Sequence, residues 1–146
     1  MRIVLQRVKR AQVTVDNKIV GKIDKGIMLL LGVHHDDTKE TAHFLVQKCI
    51  DLRIFSDSDD KMNLSLRDVN GSALIVSQFT LYGDCSKGRR PSFINAAPPK
   101  QGNELYEYFV AQMRKNIDNV QTGIFGAMMD VELVNDGPVT MILEKQ

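Results

Sequence analysis

The chain has 146 residues, 43% of them apolar and 25% charged, with a formal net charge of +1. That length and composition predict one domain, able to bury roughly two thirds of the surface its unfolded chain exposes, and exclude a disordered or collagen-like chain. A near-zero charge balance gives no whole-molecule attraction to nucleic acid, so any RNA contact has to come from a local patch.

Residues 2–9 read as a strand, and Ala11, Val13 and Val15 then alternate with polar neighbours, the period of a half-buried strand. Asp16-Asn17 supplies a turn before a strand at Lys18–Ile23, and Lys25-Gly26 a second turn before the apolar run 26–33. That run predicts a central strand buried on both faces. Asp37-Thr38-Lys39-Glu40 reads as an acidic capping box with Asp37 as N-cap. Ala42, Leu45, Val46, Cys49 and Ile50 follow at helical spacing, predicting an amphipathic helix over 38–50. Leu52–Phe55 reads as a short strand, Ser56–Lys61 as a polar loop, and Asn70-Gly71 as a turn before a strand at Ser72–Leu81. Residues 83–102, rich in Gly and Pro, predict a long irregular segment of the kind that carries function. A second helix is expected at about 103–116, from Leu105, Tyr108, Phe109, Gln112 and Met113, and two closing strands at about 127–134 and 138–144. The sum is an α+β domain: a mainly antiparallel sheet or partial barrel with two covering helices, spanning 1–146 without an internal repeat or linker.

Cys49 and Cys85 form neither a disulfide framework nor a metal spacing. The longest apolar stretch, Gly26–Val33, is too short to cross a bilayer, and Arg2 is not followed by the apolar core of a signal peptide. A cytoplasmic protein with no membrane partner is the expectation. His34, His35 and His43 lack further ligands at metal spacing, so no metal and no cofactor are expected. Asp57-Ser58-Asp59-Asp60 resembles the start of a calcium loop, but Met62 stands where the glycine belongs and Asp68 where the bidentate Glu belongs, leaving a solvated turn.

Two distant segments carry the chemistry. Ser77-Gln78-Phe79-Thr80 places hydroxyls, an amide and closely spaced backbone N–H groups at the end of an apolar strand. One reading is a strand end whose hydroxyls bond nearby backbone; the other is an oxyanion site in which N–H groups near Phe79 and Thr80 stabilise charge on an ester carbonyl oxygen. A nucleophilic Thr80 would require an activating base, and no His, Lys, Asp or Glu lies between Gly71 and Gly83. Asn135-Asp136-Gly137-Pro138-Val139-Thr140 is turn chemistry at a strand mouth, or a rigid Gly-Pro element whose carbonyls face a pocket. A third segment, Ser86–Phe93, holds three cations in four positions, Lys87, Arg89 and Arg90, with Phe93 beyond. It reads as a solvated loop, or as an arm that grips phosphates and stacks on a terminal base.

Several separated motifs, in order, resemble the D-aminoacyl-tRNA deacylase family. They are Gln6-Arg7-Val8 with Ala11 and Val13, the hairpin into Gly26–Val33, Ser77–Leu81, Gly88–Phe93 with Ala96-Ala97, Thr122-Gly123 with Phe125-Gly126-Ala127, and Asn135–Thr140. The resemblance implies a single deacylase domain that hydrolyses D-aminoacyl-tRNA and, since glycine has no side chain to exclude, glycyl-tRNA. It implies a homodimer in which Gly137-Pro138, in the cis form, reaches into the partner's pocket beside Ser77, Gln78, Phe79 and Thr80. There the Gly137 and Pro138 carbonyls would hold the α-ammonium and leave no room for an L side chain. Arg7 would fix the Gly-Pro element, Gln78 and Phe79 would line the adenosine pocket, and a hydroxyl of the terminal adenosine would assist ester cleavage. Lys87, Arg89, Arg90 and Phe93 are the expected tRNA contacts. Two other functions stay open: a nucleic-acid-binding module without catalysis, and a Thr80-dependent esterase for small acyl esters.

Overall fold

The computed structural model describes residues 1–146. In chain order the elements are β1 (Arg2–Val15), β2 (Lys18–Ile23), β3 (Gly26–Gly32), α1 (Lys39–Asp51), β4 (Phe55–Ser56), β5 (Met62–Leu64) and β6 (Ser72–Ser77). A 3₁₀ turn (Phe79–Tyr82), α2 (Pro99–Arg114), β7 (Val120–Thr122) and β8 (Asp130–Glu144) follow. The two expected N-terminal strands are one: β1 runs unbroken and serves as the spine. Its first half pairs antiparallel with β3 and its second half with β2, while β8 runs antiparallel along its other edge. The register against β8 shifts between Gln6 and Val8 and again between Val8 and Arg10. Such irregularities bend a strand and raise its twist, which lets one long strand curl the sheet.

On the far side of β3 the pairing turns parallel. β3 with β6 and β6 with β7 are parallel ladders, and such pairs need long crossovers. α1 lies in the first crossover and α2 in the second. The mixed sheet runs β2-β1-β3-β6-β7, with β8 on β1. It curls until β2 meets β7: a Cβ on Gly21 would stand 2.5 Å from the Thr122 carbonyl oxygen. The result is an almost closed barrel with two helices packed outside it.

Two cores follow from this shape. Ile3, Leu5, Ile27, Leu29 and Leu31 face the helices, meeting Leu45, Val46 and Phe109. Val8, Val13, Met28, Leu74 and Val76 face into the curl. β3 thus buries both faces, as its apolar run predicted.

Several boundaries move. Thr38, not Asp37, caps α1: its hydroxyl accepts from the Thr41 N–H, and Thr41 returns the contact to the Thr38 N–H. The Asp37 carboxylate is occupied by the Met1 ammonium at 2.5 Å and the His34 N–H at 2.7 Å. α2 begins at Pro99, four residues earlier than its apolar spacing suggests, because proline is well suited to a helix's first turn. The strand expected over 72–81 stops at Ser77, the last residue that β3 can pair. The short strand expected at 52–55 is instead Phe55–Ser56, paired with β5. Between them Asp57 closes the turn by accepting from Asp59 N–H, Lys61 N–H and the Asn63 amide. The two closing strands are one, β8, interrupted only in register, and β7 is an addition too short to leave a periodic signal.

Candidate active site

At the C-terminal ends of the parallel strands β3 and β6 the chain leaves a cleft of about 770 Å³. This is where an α/β sheet ordinarily offers a ligand its concave surface. One wall is the run Ser77–Thr80. A hydrogen bond from Gln78 N–H to Leu31 O, 2.8 Å, ends the ladder, and the chain then winds into the 3₁₀ turn. Leu81 N–H bonds Gln78 O and Gly83 N–H bonds Thr80 O. The N–H groups of Phe79 and Thr80, which open the turn, have no partner within the chain, as the first donors of a helical turn do not. Both residues are exposed.

The Phe93 ring meets Phe79 edge to face at 5.0 Å, making an aromatic lip. Across the cleft stand Tyr106 and Gly102 of α2 and the segment Phe125–Met129. Gly102 and Gly123 make room there: a Cβ on Gly102 would touch Phe125 at 3.4 Å, and one on Gly123 would lie 2.5 Å from the Met129 sulfur. These far-wall residues carried no chemical signal in the sequence, because β7 and the second crossover bring them to the cleft. Phe125-Gly126-Ala127 was visible only as part of a resemblance.

The cleft is lined by no carboxylate, imidazole or amine. Its one titratable group, Tyr106, donates its hydroxyl to Ile75 O at 2.8 Å, and burial pushes its pKa up to about 12. Thr80 Oγ1 accepts from the Gln78 side-chain amide, a donor that cannot act as a base. Hydrogen-bond donors and apolar walls are what this site offers a reacting group.

Lys87, Arg89 and Arg90 are exposed on an arm of residues 84–92 whose ends pair through Asp84 and Ser92. They do not line the cleft, although Phe93 at the base of the arm does. His34, His35 and Asp36 bring ligand-type atoms within 4.8 Å of one another, outside the cleft. His34 Nδ1 already accepts the Asp36 N–H and His35 Nδ1 contacts the Asp36 carboxylate.

Gly137 and Pro138 also lie away from their own chain's cleft. Residues 136–139 have no partner on β1, the Gly137-Pro138 peptide is cis, and both residues are exposed. Arg7 fixes the base of this projection. Its Nε donates to Asp136 O at 3.2 Å and its Nη1 to Ile54 O at 2.6 Å. Asn135 completes the frame, its amide donating to Arg7 O at 2.9 Å and Val139 O at 3.0 Å.

A profile of the family described as D-Tyr-tRNA(Tyr) deacylase matches residues 4–144, nearly the whole chain and both segments of interest. The chain belongs to that family. A curated relative from Exiguobacterium sibiricum, named D-aminoacyl-tRNA deacylase, is 60% identical over 145 residues, covering 99% of this chain and 100% of its own. Among solved structures, one named c-Myc DNA Unwinding Element Binding Protein superposes with a TM-score of 0.95 at 40% identity, covering 100% of this chain and 99% of its own. Another, titled as a probable eukaryotic D-amino acid tRNA deacylase, gives a TM-score of 0.86 at 21% identity over 97% of each chain, and supports the fold alone. Family membership makes the chain a hydrolase of the ester-cleaving class. No helix is long and apolar enough to cross a membrane.

Proposed function

We propose that this chain hydrolyses the ester of D-aminoacyl-tRNA, releasing free amino acid and tRNA. The observation that carries the reading is the pair of unpartnered N–H groups at Phe79 and Thr80, on the lip of an apolar cleft without a side-chain base. The ester carbonyl would lie with its oxygen toward these donors, where preorganised N–H groups stabilise charge without reorganising. Water adds to the carbonyl carbon, assisted by a hydroxyl of the terminal adenosine, and the C–O bond to the ribose breaks with return of a proton to that oxygen. Phe79 and Phe93 would stack on the terminal base, with Gln78 beside it. Lys87, Arg89 and Arg90 would hold nearby phosphates of the acceptor end, a footprint small enough for a chain of near-zero net charge. With aminoacyl-tRNA as substrate, the reaction would run in the cytoplasm.

Chirality would be read across a homodimer. Gly137 and Pro138 project from the sheet, clamped by Arg7 and absent from their own cleft. Ile142, on the same strand, is 71% exposed, and Met128, at the cleft rim, 92%. Apolar groups this open suit burial by a second copy. Seated in the partner's cleft, the Gly137 and Pro138 carbonyls would accept from the substrate ammonium and crowd out an L side chain, while glycine would pass. One assay tests the core of this reading: matched D-tyrosyl- and L-tyrosyl-tRNA incubated with the purified protein. Loss of the D ester alone is expected; loss of both would reduce the site to an unselective esterase.

The name of the 40%-identical structure favours a second reading, a nucleic-acid-binding module using Lys87, Arg89 and Arg90. It predicts binding that falls steeply with salt and no loss of either ester.

A further inference from the structure

We infer that Arg2 is a positioning residue for this reaction, holding the 3₁₀ turn so that the Phe79 and Thr80 N–H groups point at the ester oxygen. The inference rests on the reading above and assigns a role to a residue outside the cleft. Arg2 pairs with Gly32 on β3 and Glu144 on β8, so it stands at the place on the sheet where the turn is seated. Gly32 lets the turn settle: a Cβ there would lie 3.0 Å from Gln78 O, 3.1 Å from Leu81 Cβ and 3.3 Å from the Tyr82 ring. From the neighbouring strand Arg2 reaches over this seat. Its Nη1 donates to Leu81 O at 2.7 Å, its guanidinium covers the Tyr82 ring at 4.9 Å, and its Nη2 meets the Glu144 carboxylate at 2.9 Å.

The turn has little else to fix it. A four-residue 3₁₀ segment has poor hydrogen-bond geometry of its own. The Tyr82 hydroxyl is buried without a partner, so that residue is held by packing between Arg2 and the His34 ring, which it meets edge-on at 5.2 Å. Arg2 makes the only side-chain hydrogen bond to residues 79–82 from another element of the fold. A guanidinium suits the task because it donates in two directions from a plane that also stacks on an aromatic face. Donors that must sit about 3 Å from a developing oxyanion lose effect when their support is loose.

The test compares Arg2→Ala, Arg2→Lys and Glu144→Gln with the parent on D-aminoacyl-tRNA. The expected result for Arg2→Ala is a fall in kcat of about tenfold with KM within about twofold, since the loss is of transition-state stabilisation and not of binding. Arg2→Lys should recover part of that loss, because an ammonium still donates to Leu81 O. Glu144→Gln should keep the parent rate. In ¹H–¹⁵N spectra the Phe79, Thr80 and Leu81 amides should shift in Arg2→Ala while those of Asn135 and Thr140 stay in place. Parental kcat in Arg2→Ala, or a rise confined to KM as a phosphate contact would give, overturns the inference. If Arg2→Ala does not fold, Arg2→Lys decides: parental kcat with unmoved Phe79 and Thr80 amides overturns it. A parent protein that hydrolyses no D ester overturns the proposed reaction itself, a result distinct from either.

Discussion

The two segments that carry the proposed chemistry are built in opposite ways. Ser77–Tyr82 ends a parallel strand and leaves the Phe79 and Thr80 N–H groups unpartnered, facing a cleft whose walls are mostly aromatic or apolar. Asn135–Val139 interrupts an antiparallel pairing, and its backbone is tied down at Asp136 O by Arg7 and at Val139 O by Asn135, while the same two side chains also bond Ile54 O and Arg7 O. The first segment offers donors to something absent from the chain. The second spends its polar groups on holding a shape and leaves Gly137 and Pro138 exposed at the tip. A recognition gauge has to be rigid, whereas an oxyanion site has to have donors free, and one stretch of backbone cannot serve both ends well. Under the proposed reading, their separation within a single chain would be bridged by a second copy.

Breaking the gauge gives the largest expected effect. Gly137 has φ +119°, and a Cβ there would stand 2.9 Å from Arg7 Nη2 and 3.0 Å from Val139 Cγ2. Gly137→Val should therefore lower deacylation by about 100-fold or more through misplacement, at a cost of roughly 1–3 kcal/mol of backbone strain. Mixing it, after unfolding and refolding together, with a variant disabled in the turn sharpens the comparison. Each mixed dimer would hold one intact cleft facing one intact gauge, restoring about a quarter of parental activity. An inactive mixture whose variants do form mixed dimers would mean that cleft and gauge act within one chain. A Gly137→Val protein as active as the parent would remove the gauge altogether.

Arg7→Ala attacks the same segment from its base and should register as stability as well as activity. The side chain is 11% exposed and spans Ile54 O and Asp136 O. Its removal leaves the Ile54 and Asp136 carbonyls without their side-chain donor, costing about 2 kcal/mol and several degrees of Tm. Thermal melting checks this: Arg7→Ala should melt several degrees below the parent, and a parental Tm would make Arg7 a bystander.

On the cleft side, Phe79→Ala should raise KM for charged tRNA about tenfold, the usual worth of one stacked base. Thr80→Ala should keep single-turnover hydrolysis within about threefold of the parent. Its hydroxyl faces the Gln78 amide, which cannot take its proton, and its N–H survives the substitution. A collapse of the chemical step in Thr80→Ala, or a covalent acyl adduct in the parent, would restore the nucleophilic threonine.

How much of this was legible depends on where the deciding partner lies in the sequence. The central strand was plain, because a strand buried between two neighbours must be apolar on both faces, and Gly26–Gly32 is. Ser77–Thr80 was visible as a polar end to an apolar run. Its conversion to a turn was not, since Phe79 and Leu81 continue the alternation of a strand and only the end of β3 at Gly32 stops the ladder. Asp37 looked like a cap by local spacing, but its partner is the Met1 ammonium, 36 positions away. The far wall of the cleft was beyond local reading for the same reason. Tyr106 sits on an ordinary helix face, and Phe125–Met129 follow a three-residue strand, so topology alone makes them a wall.

Acid separates the two segments by the smallest expected effect. The Asp84 carboxylate closes the basic arm by accepting from the Ser86 N–H at 2.9 Å, and its bonds to the Ser86 side chain and backbone hold its pKa below the ordinary 3.8. A carboxylate with a lowered folded pKa contributes stability above its unfolded value and loses it as pH falls through the folded one. The arm should therefore loosen from about pH 4 downward. The Gly-Pro segment is held chiefly by Arg7 hydrogen bonds to the Asp136 and Ile54 carbonyls, at 3.2 and 2.6 Å, which do not titrate, with the Asp136 carboxylate a longer contact at 3.4 Å. Hydrogen exchange through that range should quicken at residues 84–92 before it does at 135–140, and Asp84→Asn should abolish the pH dependence of the arm while leaving the Gly-Pro segment unaltered. Simultaneous loosening of both would mean that the arm and the Gly-Pro element share one cooperative unit, and that their difference in construction has no counterpart in local stability.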